Sequence, residues 1–366
     1  MPQLDATFGQ YLFNLVFYLF LCLVSFYLAN KQKDVLFLWV LTVLFCIFSY
    51  FAGDWFHYRL LLPYLDQSFS EPVYYYFAEL SGRNYLFFRL LVWGLATLFL
   101  FVACKRLKLN GNIAAFVYIW FFLPTFCYAR ASLAMASYFC GLSFFIEKSH
   151  RRLPLIDICL GLFLIVLSYF FHRSFLPIIV ATPLIFVKFN RGTIVLILLL
   201  FPFFLALLRY SLNQMAADMF LEGSDFESFS DAAQGYAMQE RRTYNWKYSL
   251  VSNLKYIGFY LPILYVIIRA KFSSKRIALP FSYEKIISVA ILILVLSTAF
   301  FVISYTDNTS QVMGYRYLYM LGIPSTFLLS YLLQMRLVTK KKSLILMSLA
   351  WLSTVLLIVG KLFALS

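Results

Sequence analysis

Long apolar runs separated by short polar segments fill most of the chain, and this repetition is the feature that most limits its fold. A helix needs about 20 mainly apolar residues to cross the hydrocarbon core of a bilayer. Twelve runs of roughly that length occur: 8–29, 35–52, 85–103, 113–129, 131–146, 153–171, 174–187, 193–210, 250–268, 285–305, 317–335 and 343–362. The pattern predicts an all-α, polytopic integral membrane protein with about 12 transmembrane helices. If Arg130 or His172-Arg173 interrupts one broken helix instead of joining two, the count falls to ten or eleven.

The composition excludes a large soluble domain. Hydrophobic residues make up 63% of the chain and charged residues 13%, against about 45 to 50% and about 25% in soluble domains. We therefore expect residues 1–366 to form a single transmembrane domain with short loops on the cytoplasmic side and longer loops outside. The longer loops are 53–84 and 211–249, and the second is long enough to form a lid over an outer cavity.

Charge predicts the orientation of this domain. When the loops are assigned alternately, one side carries 19 of the 31 basic residues and four of the 16 acidic ones, while the other side carries 12 of each. Cytoplasmic loops of membrane proteins carry the excess of Lys and Arg. The basic side is therefore predicted to be cytoplasmic, with both termini outside. This asymmetry accounts for the net charge of +15, so no nucleic-acid partner is required.

The predicted outer side favours arginine over lysine, against the charge rule. Nine of its 12 basic residues are arginines: Arg59, Arg83, Arg89, Arg130, Arg173, Arg209, Arg241, Arg242 and Arg316. A planar guanidinium binds phosphate with two parallel hydrogen bonds and keeps its charge in poorly solvated sites. The excess of arginine points to an anionic partner on this side.

Isolated polar residues supply candidates for chemistry. His172 and Arg173 form the sole polar break between two apolar runs, where an imidazole can take a proton near neutral pH. Arg130 is isolated in the same way. The alternatives are a hydrogen-bonded turn histidine and an arginine that reaches the membrane interface.

The first outer loop adds a carboxylate and a run of tyrosines. Asp54 is a candidate general base or sugar-hydroxyl acceptor, unless it caps a helix or pairs with Arg59. The tyrosines around Tyr74 offer faces for sugar rings, or form an interfacial aromatic belt.

Two further outer segments carry basic residues. Arg241 and Arg242 end the acidic part of loop 211–249. Arg316 lies in the predicted first turn of a helix, where the helix dipole disfavours a cation unless an anion meets it.

Several common site motifs are missing from the sequence. It contains no GxxxxGK[ST], no HExxH and no CxxC, so cytosolic nucleotide chemistry is unsupported and we assign no metal. The acidic pair Asp225 and Glu227 lies in a polar loop, where carboxylates are usually solvated.

In order and spacing, five outer motifs resemble the EpsG family of Wzy-like polysaccharide polymerases over most of the chain. They are Gly53-Asp54-Trp55 with Tyr58, Glu71-Pro72 with Tyr74, Arg130 with Ala134, Phe171-His172 with Ser174, and Arg316 with Met320.

The resemblance implies a multi-pass inner-membrane enzyme that joins oligosaccharide repeat units carried on undecaprenyl diphosphate, at the outer face. The donor and acceptor are its partners, a chain-length regulator is a further candidate, and no cofactor or metal is expected because the lipid carrier activates the donor. We expect His172 or Asp54 to act as base. The expected substrate contacts are Arg130, Arg173, Arg316, Arg241, Arg242, Arg59, Tyr58 and Tyr74.

Other classes fit part of the pattern. A glycosyltransferase that uses polyprenyl-phosphate monosaccharides also works at the outer face with a carboxylate in its first outer loop. A transporter or flippase of lipid-linked sugars would use mid-membrane helix breaks, which Pro177 and Pro183 supply. An outer-face acyltransferase that uses His172 is a third alternative.

Overall fold

A computed structural model describes just over half of the chain, and every regular element in that part is helical. The described residues are 8–29, 36–48, 59, 61–66, 71–121, 123, 129–146, 154–186, 263–272, 278–303 and 317–337. The α-helices are α1 (Phe8–Ala29), α2 (Phe37–Phe48), α3 (Pro72–Leu80), α4 (Tyr85–Arg106), α5 (Gly111–Phe121), α6 (Ala129–Ile146), α7 (Leu155–Phe171), α8 (Leu176–Ala181), α9 (Phe281–Ile303) and α10 (Gly322–Gln334).

Three of the described helices are long and apolar enough to cross a membrane: Phe8–Ala29, Tyr85–Arg106 and Phe281–Ala299. Shorter apolar helices account for the predicted runs 35–52, 113–129, 131–146 and 153–171. The predicted runs 193–210 and 343–362 lie outside the described residues. The all-helical class is thus confirmed for the described part, while the count of 12 spans stays a prediction.

The hairpin of α6 and α7 forms the centre of the described structure. These two helices pack against each other more extensively than any other described pair, and α4 packs on α6. They approach closely at Gly141 and Gly161, where a Cβ placed on Gly141 would lie 2.6 Å from the Gly161 carbonyl oxygen. Small residues let helix backbones come this close in membrane bundles.

The segment after α7 is broken where the sequence predicts one span over 174–187. A 3₁₀ turn (Arg173–Phe175), the six-residue α8 and a second 3₁₀ stretch (Thr182–Phe186) follow one another. Pro177 and Pro183 lack the N–H that a continuous helix requires, which explains both breaks. Six α-helical residues and eight 3₁₀ residues cover about 25 Å, less than the hydrocarbon core of about 30 Å.

The two sides assigned from charge correspond to the two ends of the described helices. Arg106 ends α4 and pairs with Asp157 in the first turn of α7, and both were assigned to the basic side. At the other ends of α6 and α7 lie Arg130 and His172, both assigned to the outer side. Which end faces the cytoplasm stays a prediction.

Candidate functional site

Glu71 is a buried carboxylate at the start of α3. Pro72 is the first residue of this helix, a position that proline favours because its missing N–H would have no partner there. The Glu71 side chain does not cap its own helix. It points instead toward α6 and α7, and only 4% of its surface is exposed.

Arg130 meets one oxygen of this carboxylate. Its Nη1 lies 2.6 Å from Glu71 Oε2, and 26% of the arginine side chain is exposed. Arg130 is the second residue of α6, where the helix dipole disfavours a positive charge. Glu71 supplies the anion that offsets this cost.

His172 meets the other oxygen. Its Nδ1 lies 2.8 Å from Glu71 Oε1. His172 ends α7 with an extended backbone, and its N–H donates to the Ser168 carbonyl at 3.0 Å. The chain turns at this residue, so the imidazole lies at the outer end of the helix hairpin and faces the start of α3.

The environment keeps Glu71 ionised. Burial alone would raise the pKa of this carboxyl, but the hydrogen bond from His172 and the charge of Arg130 outweigh it and lower the pKa from 4.5 to about 2. An ionised carboxylate only accepts hydrogen bonds, so Nδ1 of His172 must donate. In a neutral imidazole the lone pair then resides on Nε2, which is the atom able to accept a proton.

Arg173 and Ser174 continue the chain from His172. Arg173 is half-buried, and no ion pair or hydrogen bond of its side chain occurs within the described residues. The Ser174 hydroxyl is buried and has no hydrogen-bond partner there, while its carbonyl accepts a bond from Tyr317 Oη at 2.8 Å. Within the part of the chain that the structure describes, the carboxylate of Glu71 contacts Arg130 and His172, and Arg173 follows His172 directly in the chain.

Two other outer arginines have structural partners instead. Arg83 contacts the Glu79 carboxylate at 2.6 Å and donates to three carbonyls of 62–65, Pro63 among them. Arg89 is buried and donates to the Cys46 carbonyl at the end of α2. These contacts explain part of the arginine excess without an anionic ligand.

The remaining predicted site residues are spread over described and undescribed parts. Arg59 is exposed. Tyr74 is fully buried, with its ring 6.0 Å from Phe77 and 6.2 Å from Phe88. Stacking of Tyr74 on a sugar would require that ring to be uncovered, so it has no part in the function proposed below. The others lie outside the described residues: Asp54, Tyr58, Arg241, Arg242 and Arg316.

Glu71 is the site residue to which the sequence alone gives no role. It belongs to one of the outer motifs, but its partners lie 59 and 101 positions away in the chain. The available signal is a lone acid before a proline in a tyrosine-rich segment. That signal indicates a helix start as readily as an ion pair.

Among the described residues there is no group of three or more His, Cys, Asp or Glu side chains placed to hold a metal ion.

Comparison with known proteins identifies the family. No curated protein and no solved structure matches the chain. The sequence model of the EpsG family matches residues 53–364, a range that includes Glu71, Arg130 and His172. The chain therefore belongs to the EpsG family, a family of Wzy-like polysaccharide polymerase-type membrane proteins.

Proposed function

We propose that the protein joins oligosaccharide repeat units carried on undecaprenyl diphosphate, at the outer face of the bacterial inner membrane. The observation that carries this proposal is the Glu71 carboxylate shared between Arg130 and His172. It orients an imidazole that directly precedes Arg173 in the chain, and a transfer from a diphosphate needs such a base beside a guanidinium. Membership of the family supports the reaction class.

His172 is the proposed base. Glu71 holds Nδ1 as a donor, so Nε2 takes the proton of the acceptor sugar hydroxyl as that oxygen bonds to the anomeric carbon of the donor. The bond from the anomeric carbon to the diphosphate breaks in the same step, and the diphosphate leaves with the electron pair. Such a direct displacement inverts the anomeric carbon. Asp54 is the alternative base.

Arginines stabilise the leaving group in this proposal. Negative charge on the diphosphate grows as the glycosidic bond breaks, so preorganised guanidiniums stabilise the transition state more than the ground state. Arg173 is the first candidate, because its side chain has no anionic partner within the described residues. Arg316 precedes Tyr317, whose hydroxyl binds the Ser174 carbonyl, so it is the second. Arg130, Arg241 and Arg242 remain proposed contacts.

Reconstitution tests the proposal directly. The purified protein is placed in vesicles with undecaprenyl-diphosphate-linked repeat units isolated from cells that lack this gene. We expect a ladder of polymer lengths without any ion gradient, and loss of the ladder in Arg130→Ala, His172→Gln and Arg316→Ala variants that fold normally. A wild-type ladder from all three variants would remove the site assignment.

The same assay separates the alternatives. Addition of single sugars would indicate a polyprenyl-phosphate glycosyltransferase. Movement of the lipid-linked unit across the bilayer without bond formation would indicate a transporter, which the helix breaks in 173–186 favour. A covalent glycosyl-enzyme would contradict direct displacement.

A further inference from the structure

The Gly141–Gly161 contact is tight because backbone meets backbone. A Cβ on Gly141 would lie 2.6 Å from the Gly161 oxygen and 2.9 Å from the Ile165 nitrogen. A Cβ on Gly161 would lie 2.5 Å from Phe145 Cε2 and 3.0 Å from the Gly141 oxygen. The first clash is with main chain and cannot be relieved by turning a side chain. The second is mainly with the edge of one ring.

The contact lies at the same distance along both helices from the candidate site. Arg130 precedes Gly141 by eleven residues, and His172 follows Gly161 by eleven. In an antiparallel hairpin, equal offsets bring two residues to the same level, here about 16 Å from the glycines. Between the glycines and the site, Ser137 Oγ donates to the Leu164 carbonyl at 2.7 Å, which fixes the same register a second time.

We propose that the Gly141–Gly161 contact is a positioning device, which sets the spacing and register of α6 and α7 so that Arg130 and His172 reach the two oxygens of Glu71 together. Its importance for catalysis rests on the proposed function, but the geometry does not. A methyl group at 141 must move away from the Gly161 oxygen by about 0.7 Å to reach an ordinary carbon–oxygen contact of about 3.3 Å. The 2.8 Å bond between His172 and Glu71 then lengthens toward about 3.5 Å, where hydrogen bonding ends.

The imidazole nitrogens of His172 provide a readout that needs no substrate. The chain has three histidines, so ¹⁵N-histidine labelling gives few signals, and His172→Gln identifies the relevant ones. In the full-length wild type at a pH where the ring is neutral, we expect the tautomer protonated on Nδ1. In Gly141→Ala we expect a mixture with a substantial share protonated on Nε2. An unchanged spectrum would overturn the proposal.

Gly94→Ala is the matched control. Gly94 lies inside α4, and a Cβ there would meet nothing within 4 Å. It adds the same methyl group to a membrane-length helix, so the His172 spectrum should stay as in the wild type. A change of the same size in Gly94→Ala would also overturn the proposal, because a methyl group added away from the contact would then disturb His172 equally.

The ring of Phe145 offers a rescue experiment if Gly141→Ala does not fold. We expect Gly161→Ala to disturb the His172 signals, and Gly161→Ala/Phe145→Leu to reverse most of that change, since leucine lacks the ring edge and the 3.0 Å contact with the Gly141 oxygen then requires a shift of only about 0.3 Å. Phe145→Leu should not rescue Gly141→Ala, whose clash is with backbone. Failure of Gly161→Ala to change the spectrum, or of the double variant to restore it, contradicts the device.

Polymer formation gives the second readout. Displacements near 1 Å cost about 10²-fold in turnover when reacting groups are misplaced, so Gly141→Ala should lose at least about tenfold while Gly94→Ala stays within about twofold. If the spectra change as expected but the wild type makes no polymer, the positioning device stands and the proposed function falls. If polymer forms but the spectra and turnover of Gly141→Ala equal those of the wild type, the proposed function stands and the positioning device is contradicted.

Discussion

The two ends of the α6–α7 hairpin use ion pairs in different ways. At one end, the buried Glu71 contacts Arg130 and His172 at 2.6 and 2.8 Å. At the other, Arg106 Nη2 lies 3.4 Å from Asp157 Oδ2, with 21% and 16% of their side chains exposed. The Arg106 guanidinium also lies over the Phe144 ring, 3.7 Å from its centroid.

The difference distinguishes a candidate site, at the Glu71 end, from an ion pair that only joins two helices, at the Arg106 end. The Arg106–Asp157 pair joins the end of α4 to the start of α7. The Glu71 carboxylate is divided between a permanent cation and a group that can exchange a proton. Only the second arrangement can orient a base, and it does so in a place where an unpaired carboxylate would be costly.

Replacing His172 should produce the largest contrast between the two ends. We expect His172→Gln to lower the turnover of polymer formation by about 10² to 10⁴-fold, the usual contribution of general base catalysis. Arg106→Gln at the opposite end should stay within about twofold. Turnover measured in vesicles at saturating lipid-linked substrate checks both. Equal losses of turnover in the two variants would mean that His172 contributes no more to the reaction than Arg106 does.

Removing either carboxylate should lower the free energy of unfolding, and by more at the Glu71 end than at the Asp157 end. Glu71→Ala removes a buried carboxylate that contacts both Arg130 and His172, and loss of one partner of a buried pair costs about 3 to 5 kcal/mol. Asp157→Ala should cost about 1 kcal/mol, as for partly exposed pairs. Thermal unfolding in detergent measures both. A larger cost for Asp157→Ala would refute the assignment of Glu71 as the buried charge that matters most.

Arg173 should affect turnover more than substrate binding, because the charge that it stabilises grows as the glycosidic bond breaks. We expect Arg173→Ala to lower kcat for polymer formation about tenfold, since a charge-assisted hydrogen bond contributes about 1.5 to 3 kcal/mol. Lys105→Ala, which removes an exposed cation at the opposite end, serves as the control and should leave kcat unchanged. An unaltered kcat in Arg173→Ala would move the diphosphate contact to another arginine.

Acid should weaken the Glu71 end of the hairpin only at low pH. The pKa of Glu71 is about 2 in the fold and 4.5 ordinarily, so its ionised form is favoured by folding. Its contribution to stability is complete above about pH 4.5 and is lost as pH falls toward 2. The Tm of the wild type should therefore fall more steeply in this window than that of Glu71→Gln. Parallel curves would show that the carboxylate is not held ionised.

Sequence periodicity predicted the apolar helices well and the broken segment badly. The first run and α1 share the bounds 8–29, and the sixth run and α7 both end at Phe171. These ends follow from local polarity, which a sequence displays directly. Over 174–187 the apolar pattern continues through Pro177 and Pro183. The backbone N–H that each proline lacks breaks the helix there.

The site was only partly predictable for a different reason. Isolation between apolar runs singled out Arg130 and His172, and the structure brings them to one carboxylate. The identity of that carboxylate depends on long-range packing, which no local pattern encodes. The same limit applies to Arg83 and Arg89, since their carbonyl acceptors belong to distant segments.

The contacts of α1 reach across the boundary of the family match. Tyr18 donates to the Trp120 carbonyl at 2.9 Å, and the Trp120 indole N–H donates to the Cys22 carbonyl at 3.0 Å. The match begins at residue 53, so these bonds join a segment before it to α5 within it. A chimera that takes its first 52 residues from another protein keeps a main-chain carbonyl at position 22 whatever its sequence, but it must place a tyrosine at position 18, or the Trp120 carbonyl will lose its hydrogen bond from α1.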